Sequence, residues 1–333
     1  MELLFLGTSA GVPTRSRNVS ATAIKSDKSR RWCLVDCGEG TQHRLLHAAL
    51  SLGQLDAILI THLHGDHCYG LPGLLASASM TGRQAPLALI GPRPLEAFVK
   101  AIQAATGLHL AYELRFLAIE SLAMPFETAD FTVEAAALSH SVLSYAYGFS
   151  EKNLPPKLDT HRLEALHVPR GPDWGRLQHG EDVVLEDGTR ITSSEVLLPK
   201  RTPRKIVIGG DNDTPALLES LCRDAQVLVH EATYTQAVVE RLGTDNQHST
   251  AARVARFAQR LGLPNLVLSH FSPRYQLLEG AIPGIRDIAQ EAAAHYQGRL
   301  FLAEDLARYR LAPGGELSRL DDMPSAANGS SHR

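Results

Sequence analysis

Six residues restrict this chain more than any other stretch. His62-Leu63-His64-Gly65-Asp66-His67 places three imidazoles and a carboxylate directly after the apolar run Asp56-Ala57-Ile58-Leu59-Ile60. The run reads as a strand entering Thr61, and Gly65 permits a sharp backbone turn. Side chains this close cannot all point apart, and imidazole with carboxylate suits Zn²⁺ and neighbouring transition metals. With 15 His in 333 residues, three within six positions is a poor match to chance. The alternative is a His-rich polar loop without function. The pairs His62/His64 and Asp66/His67 could face two different ions.

Other strands repeat the arrangement. Apolar runs lead into His140, Asp211, His230-Glu231 and His270. Strand ends on one rim of a sheet converge on a shared crevice, where α/β folds place their sites. A single His at a strand end is usually structural, but several beside the six-residue cluster favour one dinuclear site. Strand-like runs at 2–6, 19–25, 32–36, 56–60, 86–90, 131–138, 143–149, 205–209, 226–230, 265–269 and 299–302 alternate with helix-like runs. The helical runs lie near 41–52, 71–81, 94–106, 215–222, 234–242, 249–262 and 284–296, so sheets covered by helices are expected. Residues 152–180 break the pattern with seven Pro and Gly around a short helical piece, and read as an insertion projecting from the core. The tail 312–333 is rich in Pro, Gly, Ser and acid and is expected to be disordered.

Composition bounds the partners. A formal charge of −3 argues against indiscriminate coating of nucleic acid, although local basic patches remain open. No apolar run is long enough to span a membrane, and Met1–Gly7 reads as a first strand rather than a secretory signal. Cys33, Cys37, Cys68 and Cys222 show neither metal spacing nor a secreted framework, so a reducing cytoplasmic compartment is expected. Cys68 could bind metal as a thiolate, yet beside the cluster it reads as buried. His43 and His47, four apart, read as surface or packed residues, as do His109, His161, His167, His179, His295 and His332.

Further motifs carry a resemblance. They are Phe5-Leu6-Gly7-Thr8-Ser9-Ala10-Gly11-Val12-Pro13, Leu34-Val35-Asp36-Cys37-Gly38-Glu39-Gly40-Thr41-Gln42 and Gly209-Gly210-Asp211. His230-Glu231-Ala232-Thr233, His248-Ser249-Thr250 and Ser269-His270-Phe271-Ser272-Pro273-Arg274-Tyr275 follow in order. Together with the His62–His67 motif, the chain up to about Arg310 resembles the metallo-β-lactamase superfamily and, within it, the short form of the tRNase Z (ribonuclease Z) family. The resemblance implies an αββα sandwich of two mixed sheets flanked by helices, spanning 1–311, with a flexible arm or exosite at 152–178.

By that resemblance one metal takes His62, His64 and His140, the other Asp66, His67 and His270, with Asp211 bridging. Two divalent ions are implied, Zn²⁺ first and Mn²⁺ second. Two ions about 4 Å apart suit an in-line phosphoryl displacement by hydroxide. Asp66 could also orient or deprotonate the nucleophile, and His248, held by Glu231, is the candidate proton donor. Otherwise His248-Ser249-Thr250 is a helix start with Ser249 as its cap. Asp36 and Thr61 are natural partners for ligand imidazoles, and Asp36 could equally be a turn residue. His230 reads as structural. Asp213 departs from the family pattern by adding charge near an expected phosphate.

The implied activity is endonucleolytic removal of 3′ trailers from tRNA precursors near the discriminator nucleotide, leaving a 3′-hydroxyl. The implied partners are precursor tRNA and a second copy of the chain, with neither DNA nor a membrane. Arg15, Arg17 and Asn18 in the loop after Pro13, with Ser249, Thr250 and Arg274, are the implied substrate contacts. Gly171-Pro172 resembles the Gly-Pro motif of the family arm, along which Lys152, Lys157, Arg162 and Arg170 lie. A second basic cluster, Lys200–Lys205, could steer RNA or be an ordinary charged loop. The competing readings are a phosphodiesterase or arylsulfatase-like hydrolase of a small substrate with the same fold, and an RNA-binding module with a structural metal site.

Overall fold

The computed structural model describes residues 1–122, 125–152, 154, 156–199, 201–243, 247–278 and 280–320. It divides into a unit made of 1–150 and the segment from 204 onward, and a second unit, 151–203.

The larger unit holds two mixed sheets. One has eight strands in the order Leu317–Leu320, Arg308–Leu311, Glu2–Gly7, Ala21–Lys25, Trp32–Val35, Leu55–Leu59, Leu87–Gly91 and Leu114–Ala118. The other has seven: Arg299–Leu302, Asn265–Ser269, Val227–Glu231, Lys205–Gly209, Ser144–Glu151, Phe131–Leu138 and Phe126–Glu127. Strand alternation explains the layering, because successive side chains face opposite sides. Leu3 and Phe5 enter one core with Leu59, Tyr147, Ile208, Val229 and Val267, which lies between the sheets. Leu4 and Leu6 face the other way, into a core with Leu71, Leu74 and Leu75 of the helix Leu71–Met80 and Leu95 and Val99 of the helix Pro94–Thr106. On the outer side of the second sheet, Leu228, Leu266 and Leu268 pack on Val254 and Phe257 of Ala251–Arg260 and Ile288 of Ile285–Ala293. The layers are therefore helix, sheet, sheet, helix. Strands buried on both faces read as continuous apolar runs, which is why they were legible.

The parallel strands set the site. Trp32–Val35 pairs in parallel with Leu55–Leu59, and Lys205–Gly209, Val227–Glu231 and Asn265–Ser269 are parallel neighbours. Their carboxyl ends lead into Asp36, His62, Asp211, Glu231 and His270. Two glycines permit the close approach at this rim. A Cβ on Gly38 would lie 2.2 Å from the Asp66 carbonyl oxygen, and one on Gly210 would lie 2.6 Å from Thr61 Cβ.

The smaller unit is wider than the 152–178 insertion read from the sequence. It has its own core of Leu163, Val168, Leu177, Val183, Ile191 and Val196. Pro172 opens the helix Pro172–Gln178 after Gly171, and Trp174 Nε1 donates to the Val168 carbonyl at 3.2 Å. Asp159 caps Thr160–Ala165 by accepting from the Arg162 N–H at 3.0 Å. Its cations are largely matched: Arg170 pairs with Glu164, Arg176 with Asp173 and Glu181, and Arg190 with Asp182. Asn153, Pro155 and Lys200 lie outside the described residues.

Two other expectations change. Residues 312–320 are not a loose tail: Leu317–Leu320 closes the edge of the first sheet against Arg308–Leu311, and Leu317 N–H donates to Asn265 Oδ1 at 3.1 Å. The rest of the expected tail, 321–333, lies outside the described residues. The 41–52 run is helical over Thr41–Leu45 alone, before a single turn of 3₁₀ helix at Leu52–Gln54.

Candidate metal centre

Two groups of donors converge at the rim. His62, His64, His140 and Asp211 form one, and Asp66, His67 and His270 form the other, while His248 also comes together with Asp211 and His270 where the two meet. Asp211 joins them through different oxygens. Its Oδ2 is 3.6 Å from His62 Nε2 and 3.8 Å from His140 Nε2, while its Oδ1 is 3.6 Å from His67 Nε2 and 3.4 Å from His270 Nε2. The sequence fixes this locally. His64 caps the short helix Gly65–Cys68, which folds Asp66 and His67 back beside His62. Asp66 Oδ2 accepts from the Gly11 N–H at 2.7 Å and lies 3.3 Å from His270 Nε2.

Each ring is oriented by its other nitrogen. His67 Nδ1 donates to Asp36 Oδ2 at 2.7 Å. His62 Nδ1 lies 3.0 Å from Thr61 Oγ1, whose proton goes to Asp36 Oδ2 at 2.9 Å. Asp36 also accepts from the Thr61 N–H at 2.8 Å and has φ of 61°. Both sequence readings of Asp36 therefore hold, as turn residue and as imidazole partner. His140 Nδ1 donates to the Gln247 carbonyl at 2.9 Å.

The second group repeats the scheme through Thr233, to which the sequence reading gave no role, and through Glu231, which it placed only beside His248. His270 Nδ1 lies 2.9 Å from Thr233 Oγ1, and Thr233 donates to Glu231 Oε2. Asp36–Thr61–His62 and Glu231–Thr233–His270 are thus matching carboxylate–hydroxyl–imidazole chains. A Thr two residues beyond a carboxylate at a strand end was the available signal.

The donor set fits a divalent cation. In His62, His67, His140 and His270 the Nδ1 proton is committed, so each Nε2 turns a lone pair inward. Yet His67 Nε2 and His270 Nε2 are 3.3 Å apart, and His64 Nδ1 is 3.2 Å from His62 Nε2 and 3.1 Å from His140 Nε2. Tetrahedral Zn²⁺ with bonds of about 2.0–2.1 Å places its ligand nitrogens about 3.4 Å apart, so a shared cation accounts for the convergence. Burial works against ionisation of Asp211, but His270, His67 and His62 around it hold it well below the usual carboxylate range. Burial pushes the Cys68 thiol up to about 12, and it packs among Leu71 and Leu74 rather than serving as a ligand.

Beside this centre His248 Nδ1 donates to Glu231 Oε1 at 3.0 Å. The same oxygen accepts from the Asn212 N–H at 2.9 Å. Burial opposes a charged His248, but Glu231 outweighs it and raises the imidazole to about 9. His230 is structural, as expected: Nδ1 donates to the Glu231 carbonyl at 2.7 Å and Nε2 accepts from Asn212 Nδ2 at 3.1 Å.

Several expected substrate contacts are engaged elsewhere. Arg17 is buried, donating to Thr8 Oγ1 at 2.6 Å and the Ala303 carbonyl at 2.9 Å, with its guanidinium 4.8 Å above the Phe271 ring. Asn18 donates from its side chain to the Glu39 carbonyl at 2.8 Å. Ser249 is buried and donates to the Asn212 carbonyl at 2.7 Å, so it is not the helix cap. Thr250 is the cap, accepting from the Arg253 N–H at 3.2 Å, and is buried too. Arg15 and Arg274 are exposed. Gly171 and Pro172 belong to the smaller unit. In the second basic cluster Arg204 is buried against Asp27 at 2.8 Å and Lys205 reaches Glu134 at 2.6 Å. Both serve the fold. Asp213 faces Thr214, whose hydroxyl donates to it at 2.7 Å.

Comparison with known proteins places the chain in a family. The family described as Anti-Pycsar protein Apyc1 matches residues 1–149. The ribonuclease Z of Pseudomonas putida (strain GB-1) is 54% identical over 315 residues, covering 95% of this chain and 98% of that one. The ribonuclease Z of Bacillus subtilis (strain 168) is 41% identical over 278 residues, covering 83% and 90%. The crystal structure of human tRNase Z, short form, matches with a TM-score of 0.63 at 26% identity, covering 94% of this chain and all of that one. With its metallo-β-lactamase architecture and this degree of identity, the chain belongs to the ribonuclease Z family.

Proposed function

We propose that the protein is a metal-dependent endoribonuclease that removes 3′ trailers from tRNA precursors, cutting near the discriminator nucleotide. The observation that carries the reading is Asp211, one oxygen toward each donor group, with the His248–Glu231 pair alongside. His62, His64 and His140 would hold one divalent ion and Asp66, His67 and His270 a second, with Asp211 offering a carboxylate oxygen to each group. Imidazole and carboxylate donors suit Zn²⁺ and also serve Mn²⁺. Such ions supply Lewis acidity at phosphoryl oxygens and make water acidic enough to ionise at neutral pH.

The chain's own groups do the rest. Asp66, fixed by the Gly11 N–H, orients the attacking water and takes its proton. The water oxygen bonds to phosphorus as the bond to the ribose 3′-oxygen breaks. His248 gives its proton to that oxygen, with Glu231 stabilising the charged ring beforehand. The tRNA keeps a 3′-hydroxyl and the trailer keeps the phosphate. Arg15 and Arg274, exposed in this unit, remain available to the RNA. The unit 151–203, including Gly171 and Pro172, serves as the arm that grips tRNA by shape and backbone. A homodimer lets one subunit's arm hold the tRNA cut in its partner. Four free, buried cysteines suit the reducing cytoplasm.

Incubation with a 3′-extended tRNA precursor, followed by mapping of both product ends, tests the reading. A cut near the discriminator with a 3′-hydroxyl is expected. An intact precursor, from protein that still hydrolyses bis(p-nitrophenyl) phosphate, would transfer the assignment to a small-substrate phosphodiesterase.

A further inference from the structure

Outside the metal centre, a groove of about 480 Å³ runs between the helix Ala251–Arg260 and the segment 213–216. Arg253, Arg256 and Arg260 line it over a floor that includes Pro215 and Phe257. All three arginines are exposed, while Val254, Ala255 and Ala258 between them are buried. Their spacing of three and four residues keeps them within about 60° of one helix face. They stand about 5, 9 and 15 Å along the axis from the Thr250 cap. The row is thus a track of cations leading away from the reaction centre, in a chain whose formal charge is −3.

The track is tied to that centre at both of its edges. His248 lies two residues before the cap, and Arg253 Nη1 donates to the Asp213 carbonyl at 2.7 Å, two residues after Asp211. Further out, Arg256 Nη2 lies 3.0 Å from His295 Nε2, and Arg260 pairs with Glu219 at 3.4 Å. The Arg260–Glu219 pair is exposed on both sides, so it is weak and exchangeable. A guanidinium has five donors, and these bonds leave most of them for a phosphate.

We infer that the Arg253–Arg256–Arg260 face binds phosphates of the RNA strand that is retained after cleavage, immediately upstream of the cut. This rests on the processing activity proposed above. Its direction follows from His248: the proton donor faces the departing 3′-oxygen, which belongs to the retained strand, and the helix carrying the arginines begins beside it. Phosphate contacts of this kind fix register without reading sequence.

The test uses the full chain carrying Arg256→Gln and Arg260→Gln together. Arg253 is left intact because it holds the backbone next to Asp211. Both substitutions are solvent-exposed, and hydrolysis of bis(p-nitrophenyl) phosphate should be unchanged. Precursor affinity is measured by gel shift across a salt series, with one precursor bearing a short trailer and one bearing a long trailer. Loss of two phosphate contacts should flatten the log Kd against log salt slope by about 2. The wild-type advantage should then shrink about 16-fold between roughly 50 and 200 mM salt, equally for both precursors. An unchanged slope overturns the inference while leaving the processing activity intact. A loss confined to the long trailer overturns the assignment to the retained strand. If neither protein binds or cuts the precursor, the processing reading itself fails, and the inference with it.

Discussion

Glu231 accepts a hydrogen bond from His248 Nδ1 at 3.0 Å while its other oxygen accepts from Thr233, the hydroxyl that faces His270. One buried carboxylate therefore supports both the imidazole proposed as proton donor and a ring of the second donor group. In the proposed mechanism, proton delivery and the geometry of the second donor group therefore share a support.

The first prediction separates the proton donor from the ligands. His248→Ala should retain bound metal and precursor affinity, yet lower the cleavage rate by about 100-fold or more. Nitrophenolate leaves without a proton, so bis(p-nitrophenyl) phosphate turnover should fall much less. Equal losses on both substrates would remove His248 from the acid role.

Glu231 can be examined through pH. Its charge raises His248, so the imidazole keeps its proton through neutral pH and gives it up only as pH rises toward 9. Glu231→Gln keeps an acceptor but removes the charge, which lowers the His248 pKa. The descending alkaline limb of the pH–rate profile should therefore move to lower pH. A limb that stays in place would show that another group sets it.

Thr233 should behave as a positioning residue. Thr233→Val keeps its shape but leaves His270 Nδ1 without its acceptor, and should weaken metal retention by about 10- to 100-fold in chelator competition. Thr233→Ser should restore it. Chelator resistance equal to wild type in the valine variant would show that the hydroxyl does not support His270.

Much of this was legible because the fold buries its strands on both faces. Ile58, Leu59 and Ile60 form an uninterrupted apolar run, and their alternation between two cores adds no polar residue to blur it. The seven donors could be named because each follows such a run or lies in the His62–His67 cluster. Edge elements were not legible. Arg308-Tyr309-Arg310-Leu311, paired between the edge strand Leu317–Leu320 and Glu2–Gly7, is half charged because one of its faces meets solvent, so it resembles a loop in one dimension. The insertion read from the sequence stops short of the hairpin strands of the smaller unit, Val183–Val184 and Arg190–Ile191, because they have two residues each. Arg17 was misread for another reason. An arginine beside exposed Arg15 looks solvated, and only the fold brings Thr8, Ala303 and Phe271 around it.

That burial gives Arg17 a stability prediction. Arg17→Ala removes two hydrogen bonds and a cation–π contact, and should cost about 2 kcal/mol or more, read as a lower midpoint in denaturant. Hydrolysis of bis(p-nitrophenyl) phosphate by the folded variant should stay near wild type. A variant with unaltered stability and weakened RNA affinity would return Arg17 to the substrate surface.

If Asp211 joins two ion sites, Asp211→Ala should affect metal content and turnover together, measured on the same sample. Asp211 Oδ2 faces His62 and His140 while Oδ1 faces His67 and His270, so its removal disturbs both groups at once. The expected result is a folded protein with a metal-to-protein ratio clearly below that of wild type and almost no phosphodiesterase activity. Near wild-type turnover from a metal-replete Asp211→Ala sample would contradict it.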